Sequence, residues 1–160
     1  MTFEILGLRF KLICNITPEL DSNGNPKEYM PQAKYRNELG IPLHKYGKGP
    51  FCKFKIPSHY KETGVYVLFV NRQAKYVGEC EDLSKRWNAG YGNISPRNCY
   101  IRGQPTNCRI NNLMLDAFRL GHNIELLFCK TDNRFQVEMG LIVELQPEWN
   151  KTIGKKRASL

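Results

Sequence analysis

The chain contains no uninterrupted apolar run that approaches the ~20 residues a helix needs to cross a bilayer. Charged residues interrupt its first apolar stretch at Glu4, Arg9 and Lys11, and no small-residue cleavage site follows that stretch. The N-terminus therefore lacks the features of a signal peptide. These absences argue against a membrane protein, and they lead us to expect a cytoplasmic one.

Paired metal-ligating spacings are also lacking. The nearest approach to one is Cys99 with Cys108, whose separation is too long for a zinc knuckle. His44, His59 and His122 belong to no ligand motif. Without a secretory signal we expect free thiols rather than disulfides, and a structural zinc site is disfavoured. The six cysteines are Cys14, Cys52, Cys80, Cys99, Cys108 and Cys129.

Acidic residues are the minority among the charged ones. The chain has 24 Lys and Arg against 15 Asp and Glu, a formal net charge of +9 and a pI near 9.3. Such an excess favours polyanionic partners such as nucleic acid, although a generic basic protein has the same balance. Residues 1–64 carry 10 basic and 6 acidic residues, and residues 65–160 carry 14 and 9. The excess therefore belongs to the body of the protein rather than to a tail.

Residues 64–80 contain two β-rich runs, GVYVLFV and AKYVG, separated by the polar residues NRQ. This pattern predicts a β-hairpin. If the loop comprises residues 71–73, residue 70 pairs with 74, 68 with Tyr76 and Tyr66 with Gly78, so both phenols project from one face. A four-residue loop would put them on opposite faces. Two tyrosines in a hairpin are otherwise ordinary sheet residues.

A short helix is predicted directly after the hairpin. Asp82 is a candidate N-cap, Leu83 and Trp87 share one helix face, and Gly90 ends the helix. Residues 90–107 then show neither a helical nor a strand period. Long segments of this kind within a small domain are typical of functional loops.

A second helix, a strand and a third helix follow. The second helix has an apolar stripe with a clean helical period and stops at Gly121, residues 124–129 form the strand, and residues 135–145 form the last helix. The order from residue 64 is therefore strand, strand, helix, helix, strand, helix. The stripe, which we interpret as core, consists of Ile110, Leu113, Met114, Ala117 and Phe118.

The first third of the chain is predicted to be an accessory region with short strands. Residues 3–13 are rich enough in Phe, Ile and Leu for a strand, and residues 41–58 hold a further short candidate. The resulting fold class is α+β. We accordingly divide the chain into residues 1–63 as an accessory region, residues 64–150 as the core and residues 151–160 as a basic tail.

One carboxylate stands out in the last helix. Glu138 falls on the predicted apolar stripe, where an ionised group is costly to bury unless a cation meets it. It is explained equally well as a metal ligand or as an edge residue that favours the helix N-terminus or pairs with an arginine. Arg86, beside Trp87, either is solvated or flanks a buried face. The predicted stripe consists of Phe135, Glu138, Met139, Ile142 and Leu145.

Five features occur in the order and spacing of one nuclease family. They are GVY at residues 64–66, YVG at residues 76–78, Arg86 in the following helix, Glu138, and Asn150 in EMGLIVELQPEWN. In these features residues 64–150 resemble the GIY-YIG nuclease superfamily. GVY or YVG alone would be a weak signal, whereas five matches in register are specific. The resemblance implies a three-stranded antiparallel sheet flanked by helices, which agrees with the pattern described above.

The resemblance also implies an activity, the metal-dependent hydrolysis of DNA phosphodiesters. Glu138 would hold Mg²⁺, with Mn²⁺ as the alternative cation. Tyr66 would be the general base, and because a free phenol has a pKa of about 10, nearby cations or metal-polarised water must lower that pKa. Arg86 would stabilise charge on the phosphate, Tyr76 would position the water or the phosphate, and Asn150 would orient the site by hydrogen bonding.

Two further residues have secondary roles in this interpretation. Lys75 is a cation beside Tyr76, where some restriction enzymes of the superfamily place a lysine. Gly78 is implied to let the backbone approach the substrate closely. One feature of some members is missing, because the position one helical turn after the arginine is Gly90 rather than histidine.

A compact restriction-type endonuclease acting on double-stranded DNA fits this short chain best. Specificity would come from residues 1–63 and 90–107. One active site cuts one strand, so double-strand cleavage implies a homodimer on DNA or two sequential nicks. A structure-specific repair or RNA nuclease and a non-catalytic DNA-binding module are the alternatives. The candidate DNA contacts, otherwise ordinary surface residues, are Arg97, Arg102, Arg109, Tyr91 and Tyr100.

Overall fold

A computed structural model describes residues 1–151, and the remainder of the predicted basic tail, residues 152–160, lies outside the described residues. The described chain is α+β, as predicted, with an antiparallel sheet and three α-helices. The predicted order of elements from residue 64 is confirmed. The strands are β1 (Thr2–Ile5), β2 (Leu8–Asn15), β3 (Gly64–Val70), β4 (Gln73–Cys80) and β5 (Ile124–Lys130), and the helices are α1 (Leu83–Arg86), α2 (Pro105–Arg119) and α3 (Arg134–Leu145).

The chain folds into two compact units that are interleaved in sequence. The first unit contains residues 1–16, residues 57–83 and the chain from Asn123 onward, and the second contains residues 17–56 and 84–122. The whole sheet lies in the first unit. The division at residues 63 and 64 was drawn along the sequence and concerns function, so it stays a prediction.

The sheet has five strands rather than the predicted three, in the order β1-β2-β5-β3-β4. The three predicted strands are neighbours within it. The N-terminal hairpin of β1 and β2 extends the same sheet, because β2 pairs antiparallel with the edge of β5 that β3 leaves open. The N-terminal strands are therefore part of the main sheet and not a separate layer.

A bulge, and not the predicted loop length, sets the register of the central hairpin. The turn comprises two residues, Asn71 and Arg72, with φ of 48° and 65°, values expected for a tight turn between twisted strands. Residue 70 therefore pairs with residue 73 and not with 74. The register shifts between Leu68 and Phe69, where Lys75 on β4 is the extra residue. The predicted pairs of Leu68 with Tyr76 and of Tyr66 with Gly78 are confirmed.

The two faces of the sheet are occupied differently. Val65 and Val77 belong to a core cluster that also contains Leu141 and Ile142 of α3. Because side chains alternate along a strand, Tyr66 points to the face opposite that cluster. Without the bulge, Tyr76 would point to the α3 face instead.

The apolar face of α3 is rotated from the predicted one. Phe135 and Met139 are 61% and 42% exposed, so they are not core residues. The buried side chains of this helix are Leu141 and Ile142, with Leu145 packed against the same cluster. Glu138 is half-buried, one turn before both buried residues. Of the predicted stripe, Ile142 and Leu145 are confirmed as core residues, whereas Phe135 and Met139 are not, because this helix carries apolar residues on more than one face.

The second unit has helices and loops and, in its described residues, no strand of the sheet. It contains 3₁₀-helices at residues 31–34 and 96–99, a π-helical turn at residues 87–91, and α2. The predicted structureless loop at residues 90–107 thus contains regular structure. Helix α2 begins at Pro105, since proline is favoured in a first helical turn.

A buried asparagine organises this unit. Asn111, on the apolar face of α2, accepts a hydrogen bond from the backbone N–H of Cys52 and donates to the carbonyls of Cys52 and Tyr91, at 3.0, 2.9 and 2.8 Å. Its side chain is 0% exposed. Since buried backbone groups are costly when unpaired, this single amide fixes two loop segments.

All six cysteines are free thiols. None of the helices in residues 1–151 is long and apolar enough to span a membrane.

Candidate active site

The two tyrosines of the hairpin meet on one face of the first unit. Tyr66 on β3 and Tyr76 on β4 are diagonal neighbours, with ring centroids 6.2 Å apart and ring planes at 47°. The rings are 1% and 7% exposed. Of the two arrangements that the sequence left open, the structure has the one in which both phenols share a face.

Gly78 lies directly opposite Tyr66, and its missing side chain makes room for the phenol. A Cβ at Gly78 would lie 2.3 Å from Oη and 2.4 Å from Cζ of Tyr66. No real contact is that short, so a side chain would force the tyrosine out of its place. The resemblance implies that Gly78 admits a substrate, whereas here the glycine admits the tyrosine.

Asn150 clamps β4 between Tyr76 and Gly78. Its side chain accepts a hydrogen bond from the N–H of Val77 at 2.9 Å and donates one to the carbonyl of Val77 at 2.8 Å. The side chain therefore substitutes for a neighbouring strand along this edge of the sheet. Since Val77 lies between the two motif residues, Asn150 fixes the backbone that positions both of them.

Lys75 is tied to the same C-terminal segment. Its ammonium group contacts the carboxylate of Glu148 at 2.5 Å, and its carbonyl accepts a hydrogen bond from the N–H of Trp149 at 2.9 Å. As the bulge residue of β4, Lys75 also helps to set the register of Tyr76. Its observed contacts are structural.

Glu138 lies on the helix that packs against the valine face of the sheet. Arg134, one turn earlier, pairs with Glu79 at 2.6 Å and with Glu81 at 3.1 Å, which ties the start of α3 to the end of β4. The helix that carries Glu138 is therefore on the face opposite the tyrosines. Because β4 is an edge strand, a side chain of α3 reaches the tyrosine face only around that edge.

As a single proposed protein ligand, the Glu138 carboxylate suits a hard cation that keeps its own water. Within residues 1–151, no group of three or more His, Cys, Asp or Glu side chains is arranged to hold a metal ion. A single carboxylate does not fit a structural zinc site, which needs four protein ligands. It does fit Mg²⁺, which usually binds one or two carboxylates, several waters and phosphate oxygens of the substrate.

Arg86 is held in a fixed orientation within the second unit. Its guanidinium donates hydrogen bonds to Oδ1 of Asn107 and to the hydroxyl of Tyr91, both at 2.8 Å. The guanidinium carbon also lies 4.0 Å from the centroid of the Tyr91 ring. The π-helical turn after α1 brings Tyr91 back toward Arg86, and a Cβ at Gly90 would lie 3.0 Å from the guanidinium.

Of the predicted DNA contacts, the arginines and the tyrosines are placed differently. Tyr91 is 0% exposed, so it is placed to hold Arg86 rather than to meet DNA. Tyr100 is half-buried, stacks on Tyr35 at 5.1 Å and donates a hydrogen bond to the carbonyl of Gln32. Arg97 and Arg102 are exposed, and Arg109 is half-buried on α2.

Sequence reasoning missed Asn107 and Asn111. Asn107 is 3% exposed and orients Arg86, and Asn111 fixes the backbone of Tyr91. A signal was present, because both residues fall on the apolar stripe of α2, where polar side chains need a specific partner.

The basic excess is concentrated in the second unit. That unit has 13 Lys and Arg against 5 Asp and Glu, whereas the first has 11 against 10, with three of its 11 in residues 152–160. In the described residues of the first unit, three cations form ion pairs, namely Lys75, Lys130 and Arg134. Residues 1–64 and 65–160 each combine parts of both units, so the two sequential halves have similar basic excesses.

Comparison with known proteins gives no match. No family model matches the chain, and no curated protein or solved structure matches it either. The GIY-YIG resemblance therefore depends on the residues of this chain alone, and function has to be argued from their arrangement.

Proposed function

We propose that this protein is a divalent-metal-dependent DNA endonuclease of the GIY-YIG type. The observation that supports this best is the meeting of the GVY and YVG motifs on neighbouring strands, with Tyr66 and Tyr76 in ring contact. Tyrosine pairs are common in hairpins. A more specific arrangement is that the ring of Tyr66 occupies the space where a side chain at Gly78 would lie. The backbone next to Gly78 is also held by the side chain of Asn150.

In the proposed reaction Tyr66 accepts a proton from the attacking water, and Tyr76 positions that water or the phosphate. Because Tyr66 is 1% exposed, its hydroxyl must become accessible to water for this step. Asn150 and Lys75 act as positioning residues, through the backbone of β4 and through Glu148.

Arg86 is proposed to stabilise the negative charge that develops on the phosphate. A guanidinium that is already oriented by Tyr91 and Asn107 does not have to reorganise during the reaction, which is the main advantage of such groups in catalysis. Glu138 is proposed as the residue that holds Mg²⁺ or Mn²⁺. Because α3 packs on the face opposite the tyrosines, this role requires the Glu138 side chain to reach the tyrosine face around the edge of β4. When bound, that cation would supply Lewis-acid stabilisation of the phosphate.

Plasmid digestion tests this proposal. Supercoiled plasmid is incubated with the protein and Mg²⁺, with EDTA as the control, and the ends of any products are sequenced. We expect cleavage that EDTA abolishes. Absence of cleavage of plasmid, branched DNA and RNA in both Mg²⁺ and Mn²⁺ would contradict the proposal.

Matched variants separate the proposed roles from a contaminating nuclease. Tyr66→Phe removes one hydroxyl and keeps the ring, and Glu138→Gln removes the charge and keeps the shape. Glu144→Gln is the control, because Glu144 is an exposed carboxylate on the same helix. We expect the first two variants to lose cleavage and the third to retain it.

The products distinguish the subtypes. A discrete sequence at the ends supports the restriction-type enzyme on double-stranded DNA that we favour. Scattered ends, or preference for branched DNA or RNA, support the repair or RNA nuclease. DNA binding that survives Tyr66→Phe and Glu138→Gln, without cleavage by the wild type, supports a non-catalytic binding module, for which the charge of the second unit would suffice.

Double-strand cleavage further implies two copies of the protein on DNA or two successive nicks. Linear product that appears without a nicked intermediate would favour the homodimer. Accumulation of nicked circles before linear DNA would favour sequential action.

A further inference from the structure

The second unit contains a cavity of about 330 Å³ that no proposed catalytic residue lines. This volume falls at the lower end of the roughly 300–1,000 Å³ typical of small-molecule sites. Its walls come from three separate segments, at residues 29–34, 51–53 and 93–96. The apolar part of the lining includes Met30, Phe51, Ile94 and Pro96.

The polar part of the lining is cationic. Lys34 and Lys53 contribute to it, and no acidic side chain of the described residues lines the cavity. Lys53 lies 4.2 Å from the ring centroid of Tyr29, and neither lysine forms an ion pair within residues 1–151. Two ammonium groups without a carboxylate partner favour an anionic ligand, and phosphate is the anion that DNA offers.

Asn93 adds a group that suits a nucleobase. It lines the cavity, is exposed, and its side-chain amide makes no hydrogen bond to any described residue. An amide both donates and accepts, and asparagine is a frequent partner of base edges. The apolar wall suits the face of a nucleobase, the amide suits its edge, and the two cations suit the phosphate of the same nucleotide.

We propose that this cavity binds one nucleotide of the DNA substrate, displaced from the base stack. The base lies against Met30 and Ile94, Asn93 bonds to its edge, and the phosphate meets Lys34 and Lys53. Enzymes that read an unstacked base use this combination of apolar contact and polar edge recognition. The proposal extends the nuclease function above. It depends on that function for one point, that the bound nucleotide belongs to a DNA substrate.

An NMR titration without metal tests the proposal. The probes are the four deoxynucleoside 5′-monophosphates, thymidine and inorganic phosphate, each added to ¹⁵N-labelled protein. We expect the nucleotides to shift the backbone amides of Met30, Lys53, Asn93 and Ile94. Thymidine and inorganic phosphate should shift them less at equal concentration, because each offers only part of the ligand.

Two sets of variants check the location. Met30→Trp should fill the cavity and abolish the shifts, whereas Leu39→Trp, at a residue 82% exposed and outside the lining, should not. The double variant Lys34→Gln/Lys53→Gln should weaken nucleotide binding at low salt. It should also make the logarithmic salt dependence of single-stranded DNA binding less steep by ~0.7, because the two lysines meet a single phosphate.

Three results would overturn the proposal: no shifts at these amides, equal shifts from inorganic phosphate, or nucleotide binding unaffected by Met30→Trp. Each is independent of cleavage, because no metal is present and no first-unit residue is changed. If the protein cleaves plasmid but gives one of these results, the nucleotide cavity is contradicted and the nuclease function is not. If it gives the expected shifts but never cleaves, the nuclease function is contradicted and the nucleotide cavity is not.

Discussion

The two compact units of this protein satisfy their polar groups by different means. In the first unit the backbone is paired across the sheet, and Asn150 completes the pairing at the edge of β4. In the second unit, loops are fixed by buried side-chain amides, of which Asn111 makes hydrogen bonds to two separate segments. A paired sheet gives fixed geometry with little need of charge, whereas a loop unit leaves its charged side chains available at the surface.

The charges follow the same division. The second unit carries a net charge of +8 and the first +1. Within the second unit, Arg119 forms ion pairs with Glu28 and Asp116. We propose that the first unit fixes the geometry of the tyrosine pair, and that the second unit, which also holds Arg86, supplies most of the attachment to DNA. Four predictions test this contrast, in order of decreasing expected effect.

Gly78→Ala should be the most damaging small substitution in the first unit. The new Cβ would lie 2.3 Å from the hydroxyl of Tyr66, so the ring has to move. We expect cleavage to fall by roughly 100-fold, as for comparable misplacements of a catalytic group. Stability should fall by about 1–3 kcal/mol, as for other overpacked sites. Plasmid cleavage and urea denaturation measure the two effects.

Gly140→Ala is the matched control for that prediction. A Cβ at Gly140 meets nothing within 4 Å, and the residue lies inside α3. Alanine there should stabilise the protein by about 0.5–1 kcal/mol and leave cleavage unchanged. Equal activity of the Gly78→Ala and Gly140→Ala proteins would show that the phenol position does not matter.

Asn111→Ala tests whether amides hold the second unit together. The substitution leaves the N–H and C=O of Cys52 and the carbonyl of Tyr91 without their partner. At roughly 1 kcal/mol or more for each unpaired group, we expect a loss of about 3 kcal/mol in the free energy of unfolding. Asn112→Ala, which removes one long hydrogen bond of 3.4 Å, should cost less than about 1 kcal/mol. If both variants lost a similar amount of unfolding free energy, the idea that the Asn111 amide holds the two loop segments would be contradicted.

Exposed arginines of the second unit should dominate the salt dependence of DNA binding. We expect Arg97→Gln/Arg102→Gln to make the slope of log K against log salt less steep by ~1.8, about 0.9 for each phosphate contact. Arg9→Gln/Lys61→Gln removes two exposed cations from the first unit and should leave the slope unchanged. Fluorescence anisotropy with a duplex at several salt concentrations measures both slopes. If the two double variants changed the slope equally, the proposed difference in DNA attachment between the units would be contradicted.

The buried thiol of Cys52 should weaken the protein at alkaline pH. Burial raises the pKa of Cys52 to about 12, while an unfolded thiol titrates near its ordinary value. The folded state therefore keeps a proton that the unfolded state loses, and stability falls as pH rises above about 9. Between pH 9 and pH 10 we expect the wild type to lose about 1 kcal/mol more than Cys52→Ala.

Cys14 provides the first-unit counterpart of that thiol. Burial raises the pKa of Cys14 to about 11, so its contribution should level off about one pH unit earlier than that of Cys52. Urea denaturation of Cys14→Ala and Cys52→Ala across pH 8–11 compares them. Parallel stability curves for the wild type and Cys52→Ala would contradict the prediction.

Local patterns predicted features of both units. The hairpin and the pairing of Tyr66 with Gly78 in the first unit follow from short-range alternation, and both are confirmed. The predicted stripe of α2 in the second unit follows from helical periodicity; its members Ile110, Met114 and Ala117 are buried, whereas Leu113 and Phe118 are half-buried. The register was nevertheless predicted for a different loop. The bulge at Lys75 restored the pairing that a two-residue turn would otherwise have shifted by one residue.

Features that depend on distant parts of the chain were not predicted. The pairing of β2 with β5 joins segments more than 100 residues apart, and no local pattern encodes it. The burial of Tyr91 depends on Asn111 and Arg86, and the phase of α3 depends on which of its apolar faces meets the sheet. The charge difference became visible only when the interleaved units were known.

The clamp formed by Asn150 also bears on self-association. β4 is an edge strand, and exposed strand edges recruit further strands from other molecules. At Lys75 and Val77 the outward backbone groups are already occupied by Trp149 and Asn150. A chain shortened before Trp149 would present that edge to neighbouring molecules, and we expect it to aggregate through intermolecular sheet formation even where its core remains folded.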